Sequence, residues 1–143
     1  MIDRLIEIAK LAGEAIMEVY KKDDFHKEKK SDNSPVTEAD LAANKIILEE
    51  LQKSFPNVPV LTEESEKADY DIRKNWEEYF LVDPLDGTKE FIKRNDEFTV
   101  NIALIRNRVP VLGAVYAPAL DVLYYNRDET NAFKVEGGKE SYL

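Results

Sequence analysis

The stretch Leu81-Val82-Asp83-Pro84-Leu85-Asp86-Gly87-Thr88-Lys89-Glu90-Phe91 constrains this chain more than any other. Phe80, Leu81 and Val82 read as a short buried strand. Two carboxylates follow at once, Asp83 and Asp86, with Pro84 between them and Gly87 behind. Pro84 has no N–H and a fixed φ, so the strand is expected to stop there. Thr88 then heads a short helix running to Arg94. A strand that carries two acids to its end and passes into a helix start has the layout of a phosphate-plus-metal site.

A second stretch has the same form. Residues 58–61 read as a strand and run straight into Thr62-Glu63-Glu64-Ser65. Taken alone, those four suit a helix start, with Thr62 as cap and the acids complementing the dipole. If the two strands are neighbours, three or four carboxylates converge at one sheet edge. Like charges ~4 Å apart repel by about 4 kcal/mol at an effective dielectric of ~20. No arginine or histidine nearby in the sequence is an evident neutraliser, so the acids must protonate or bind cations. Oxygen ligands without His or Cys favour Mg²⁺ over Zn²⁺.

The turn itself adds detail. Asp83 and Asp86 can face one ion pair, and the Leu85 carbonyl lies between them. Gly87 lets a ligand approach the backbone, and the N–H groups of Gly87 and Thr88 suit a phosphate oxygen. Thr88 Oγ can orient a water for in-line attack at phosphorus. The five residues from Asp83 to Gly87 also suit an ordinary turn.

Around this centre the chain reads as α+β. Apolar residues at three- and four-residue spacing predict a helix over 2–20. Residues 21–30 are charge-dense, a solvated loop or hairpin or else a basic flap that collects an anion. His26, the sole histidine, reads as exposed. A turn over 31–35 leads to a second helix ending near Phe55, with Ala43, Ile47, Leu48, Leu51 and Phe55 as its buried stripe. Thr37-x-x-Asp40 reads as its capping box. A short helix carrying Trp76 is expected over 69–79. Strands over 98–105, 109–117, 122–125 and 130–135 then form antiparallel hairpins, with Asn107-Arg108 and Gly137-Gly138 as turns.

Composition narrows the partners. The 143 residues carry a net charge of −9, which argues against a nucleic-acid polymer, whose phosphates need a basic face. A small phosphorylated substrate stays open, because bound cations reverse the local field. No run approaches the ~20 apolar residues of a membrane span, and the charged start is not a signal peptide. The absence of cysteine fits a cytoplasmic protein, soluble or peripheral at the inner face of the membrane.

Asp83-Pro84-Leu85-Asp86-Gly87-Thr88-Lys89-Glu90-Phe91 resembles the signature of the inositol monophosphatase superfamily of Mg²⁺-dependent, lithium-sensitive phosphatases. Lys89-Glu90-Phe91 is similar to the 3′(2′),5′-bisphosphate nucleotidase branch, as are Ser34-Pro35-Val36-Thr37-Glu38-Ala39-Asp40-Leu41-Ala42-Ala43 and Phe98-Thr99-Val100-Asn101-Ile102-Ala103-Leu104. The resemblance implies that Glu63, Asp83 and the Leu85 carbonyl hold a first metal, that Asp83 bridges two, and that Asp86 holds the second. It gives Glu63, Asp86, Gly87 and Thr88 to the substrate and makes Asp40 and Thr88 the pair that activates water. Glu64 would support Glu63. Thr62 stands where the family often has Gly or Ser.

The resemblance also implies a longer protein. Family members continue into a C-terminal α/β domain with a Trp-Asp motif that completes the second metal site, and Trp76-Glu77 lies too early to be that motif. Residues 1–143 are therefore expected to be the N-terminal metal-binding α+β domain, with the exposed edge favouring a homodimer. The implied reaction is Mg²⁺-dependent release of the 3′-phosphate from 3′-phosphoadenosine 5′-phosphate, with two or three metals, no covalent intermediate and a place in sulfur metabolism. The alternatives are an inositol monophosphatase or related sugar phosphatase, and a truncated module that binds cations without turnover.

Overall fold

Leu5, Ile8, Ala9, Ala12 and Ile16 fall on one stripe, and helix α1 (Ile2–Tyr20) forms over the expected span with that stripe buried. The computed structural model describes residues 1–22, 27–29, 35–65 and 69–143. His26 and residues 31–34 of the turn expected over 31–35 lie outside the described residues, and Pro35 falls in a strand. The backbone of β1 (Lys27–Lys29), within the charge-dense connection, pairs antiparallel with β2 (Pro35–Thr37). Helix α2 (Glu38–Ser54) follows with the expected capping box. It buries Ala39, Ala43, Ile47 and Leu51, while Leu48 and Phe55 are half-buried.

The remaining elements are β3 (Val60–Thr62), α3 (Tyr70–Arg73), β4 (Glu78–Asp86), α4 (Thr88–Lys93), β5 (Thr99–Arg106), β6 (Val109–Ala117), β7 (Val122–Tyr125), β8 (Phe133–Glu136) and β9 (Lys139–Tyr142). Strands β3 to β9 form one seven-stranded sheet in sequence order. All its pairings are antiparallel except β3–β4, which is parallel. Both expected hairpin turns form. Asn107 and Arg108 have φ of 50° and 68°, and Gly137 and Gly138 have 59° and 75°. Left-handed backbone at both central residues matches the twist of a two-residue hairpin.

Helices α1 and α2 cover one face of the sheet. Phe80, Val82, Val100, Ile102, Leu104 and Ala114 point into the core against them. α1 lies close enough to β6 that a Cβ at Gly13 would stand 2.7 Å from the Tyr116 ring. The opposite face leaves Leu81 and Val115 exposed.

Five expectations need correcting. Residues 80–82 are not a uniformly buried strand, since Leu81 alternates outward. The strand does not stop at Pro84 but runs on to Asp86. Strand β3 is shifted to Val60–Thr62, and no helix starts at Thr62, where a turn follows instead. Helix α3 has four residues, leaving Trp76 outside it and Tyr79 inside β4. Strand β8 also begins later than expected, because Asp128 Oδ1 accepts the Thr130 N–H at 2.8 Å and holds that segment in a turn.

Candidate active site

The position of the two aspartates depends on a β-bulge. Asp83 pairs with Asn101 and Asp86 with Thr99, so β4 spends three residues where β5 spends two. Residues three apart in a regular strand point to opposite faces. The one extra residue returns Asp86 to the face of Asp83, because Asn101 and Thr99 share a face. Pro84 sits inside the bulge, where its missing N–H breaks no ladder bond. Asn101 Nδ2 donates to Asp86 Oδ2 at 3.2 Å, and Thr99 Oγ donates to Asn101 Oδ1 at 2.9 Å. The polar side chains of the two strands thus form one chain on the outer face.

The parallel pairing brings in Glu63. Thr62 is in register with Val82, which sets the following residue, Glu63, beside Asp83. Thr62 is buried and donates to Asn44 Oδ1 at 2.8 Å, and Asn44 Nδ2 donates to Ser65 Oγ at 2.8 Å. One amide from α2 therefore ties down both ends of the turn that carries Glu63 and Glu64. Glu63, Asp83 and Asn101 line a common cavity of about 480 Å³. Arg73 from α3 lines it too.

Asp40 is fully buried and serves two elements. Its Oδ2 accepts the Thr37 N–H at 2.9 Å and the Thr37 hydroxyl at 2.6 Å. Its Oδ1 accepts the Thr88 hydroxyl at 2.8 Å, which links the first turn of α2 to the first residue of α4. Thr88 Oγ lies farther from the Leu85 carbonyl, at 3.4 Å, so its single proton belongs to Asp40.

Gly87 makes that approach possible. Its φ is +90°, and a Cβ there would stand 2.9 Å from the Glu97 carbonyl oxygen. Gly87→Ala is expected to lower the unfolding free energy by about 1–3 kcal/mol through left-handed strain and this backbone clash. A urea titration of the two proteins measures it, and an equal midpoint would refute the strain argument.

The donor set has a definite chemistry. Glu63, Asp83, Asp86 and the Leu85 carbonyl offer only oxygen, which suits a hard cation. Among the described residues, no three His, Cys, Asp or Glu side chains stand together as a metal-holding group. The acids are aligned along one edge and not closed into a cage. Mg²⁺ tolerates such a site, since it takes one or two carboxylates and fills its shell with water and phosphate.

Comparison with known proteins fixes the lineage. The sequence matches the inositol monophosphatase family over residues 1–140. The chain belongs to that family. The 3′(2′),5′-bisphosphate nucleotidase CysQ of Salmonella typhimurium is 53% identical over 96% of this chain and 56% of its own length. The crystal structure of CysQ from Bacteroides thetaiotaomicron superposes with a TM-score of 0.79 at 45% identity, covering 94% of this chain and 48% of that one. The extragenic suppressor protein suhB from Bartonella henselae superposes with a TM-score of 0.83 at 33% identity, covering 92% and 50%. The chain spans about half the length of the curated relatives it matches. These structural neighbours share the α+β arrangement expected of the inositol monophosphatase family.

Against this family background, three residues escaped the sequence reading. Asn101 and Asn44 looked like ordinary strand and helix positions, and their partners are far along the chain. Arg73 sat in a helix with no evident link to the acids. Glu90 accepts a hydrogen bond from Asn95 in the loop after α4.

Proposed function

We propose that this chain is the N-terminal, metal-binding domain of a 3′(2′),5′-bisphosphate nucleotidase. The complete protein hydrolyses the 3′-phosphate of 3′-phosphoadenosine 5′-phosphate to give AMP and phosphate. The carrying observation is the 2.8 Å bond from Thr88 to buried Asp40, beside the bulged acidic turn. A hydroxyl whose proton is committed to a carboxylate keeps its lone pairs for a water. Lys89-Glu90-Phe91 and the nucleotidase names of the close relatives support a nucleotide over an inositol phosphate.

Glu63, Asp83, Asp86 and the Leu85 carbonyl would hold Mg²⁺, which when bound supplies Lewis acidity at phosphorus and eases ionisation of water. The amides of Gly87 and Thr88 receive a phosphate oxygen, with Asp86 and Glu63 bordering the substrate. Thr88 Oγ accepts a hydrogen bond from the attacking water. As the new P–O bond forms, the water's proton moves to Thr88 and the Thr88 proton moves to Asp40. The ester P–O bond breaks, and the leaving oxygen takes a proton from solvent. The C-terminal α/β domain belongs to this proposal as the source of the remaining metal ligand and the nucleoside contacts.

The test is phosphate release by the complete protein in Mg²⁺. Adenosine 3′,5′-bisphosphate is expected to exceed inositol 1-phosphate in kcat/KM by at least roughly tenfold, the scale of discrimination by a few contacts. Equal or inverted preference would move the assignment to an inositol phosphatase. The 143-residue chain alone is expected to turn over weakly or not at all.

A further inference from the structure

Asn101 stands on β5 directly across from Asp83, on the face that carries the acids, and lines the same cavity as Glu63 and Asp83. Thr99, two residues earlier on that face, stands across from Asp86. The Asn101 amide therefore reaches its carboxylate diagonally, and Nδ2 donates to Asp86 Oδ2 at 3.2 Å. Asp86 is exposed, and this is the one hydrogen bond its carboxylate accepts among the described residues. One oxygen is held while Oδ1 is left for a ligand. The orientation of the amide follows from its neighbours. An ionised carboxylate can only accept, so Nδ2 has to face Asp86. Oδ1 of Asn101 then faces Thr99, whose hydroxyl donates to it at 2.9 Å.

We propose that Asn101 is a positioning residue for the reaction, presenting Asp86 Oδ1 to a divalent cation while Thr99 holds the amide in place. This rests on the phosphatase reading for what the cation does. An exposed carboxylate with no partner samples several rotamers and gives up that freedom when it binds an ion. The bond from Asn101 sets the carboxylate beforehand, as the hydrogen bonds to metal-ligating carboxylates generally do. The residue type matters as much as the contact. A lysine or arginine here would also hold Asp86, but its charge would oppose the cation. An aspartate would add another like charge beside Glu63, Asp83 and Asp86 and have no proton to donate. The neutral amide orients the ligand and leaves the negative field intact.

Ion binding without substrate tests this. Mn²⁺ suits the same oxygen ligands as Mg²⁺, and its free concentration is read by electron paramagnetic resonance as it is titrated into the complete protein. Asn101→Ala is expected to weaken one bound ion, the one Asp86 holds, by about 10–100-fold, the usual cost of losing a partner of a metal ligand. The ion held by Glu63 and the Leu85 carbonyl should be little changed. Thr99→Val keeps Asn101 but frees its amide, and should weaken the same ion by a smaller factor. That variant also keeps the proposal testable if Asn101→Ala does not fold. In phosphate release, the Mg²⁺ concentration for half-maximal activity should rise in the same order. Ion binding equal to that of the unaltered protein in both variants, or an equal weakening of every ion, overturns the proposal. If the unaltered protein releases no phosphate, the phosphatase reading fails, and the Mn²⁺ titration still decides the role of Asn101.

Discussion

Replacing Asp83 with Asn in the complete protein is expected to lower Mg²⁺-dependent phosphate release by roughly a thousandfold, the range reached when one electrostatic stabiliser is lost. Asp83 is the residue on which the proposed metal site converges. The parallel pairing sets Glu63 beside it, and the bulge turns Asp86 onto its face. Asn keeps the shape and the half-buried packing but removes the charge that a hard cation requires. The fold should tolerate the change, with unfolding free energy within about 0.5 kcal/mol of the parent, as for substitutions away from the core. The Mg²⁺ concentration needed for half-maximal activity should rise. Activity equal to that of the unaltered protein would sink the metal-site assignment, and lost activity with collapsed stability would mean that Asp83 acts on folding instead.

Much of the fold was legible because its signals are local. The stripes of α1 and α2, the capping box at Thr37 and Asp40, and the turns at Asn107-Arg108 and Gly137-Gly138 lie within a few residues of one another. The failures are the features decided by a distant partner. Pro84 ends a strand only if its position needs a ladder donor, and the pairing of β4 with β5 puts it in a bulge where none is needed. Leu81 looked like core, but the sheet has two faces and the helices cover the other one. The same limit applies to the site. Asp83, Asp86, Gly87 and Thr88 could be grouped as candidates because they share one turn. That β3 lies parallel beside β4, that Arg73 shares the cavity, and that Asn101 holds Asp86 are facts of tertiary pairing, and no local spacing encodes them.

Asp40→Asn tests the proton path and should cost both stability and rate. The carboxylate accepts three hydrogen bonds inside the protein, two from Thr37 and one from Thr88. An amide has only one oxygen. If that oxygen faces Thr37, the NH₂ faces Thr88 and donates to its Oγ, so the Thr88 proton must turn toward the Leu85 carbonyl at 3.4 Å. The lone pair meant for water is then occupied, and the acceptor for the proton is gone. If the amide flips, the NH₂ confronts the Thr37 N–H and the capping box fails. Either way one buried group is left mismatched, at a cost of about 1–3 kcal/mol. The expected loss of kcat is roughly 10²–10³-fold, with KM much less affected, as for removal of a general base. Thr88→Val should give a similar loss, and the double variant should be no worse than the more damaged single one, since the two residues act as a unit. Losses that multiply in the double variant would show Asp40 and Thr88 acting independently. Asp40 would then be a helix cap that merely happens to touch Thr88.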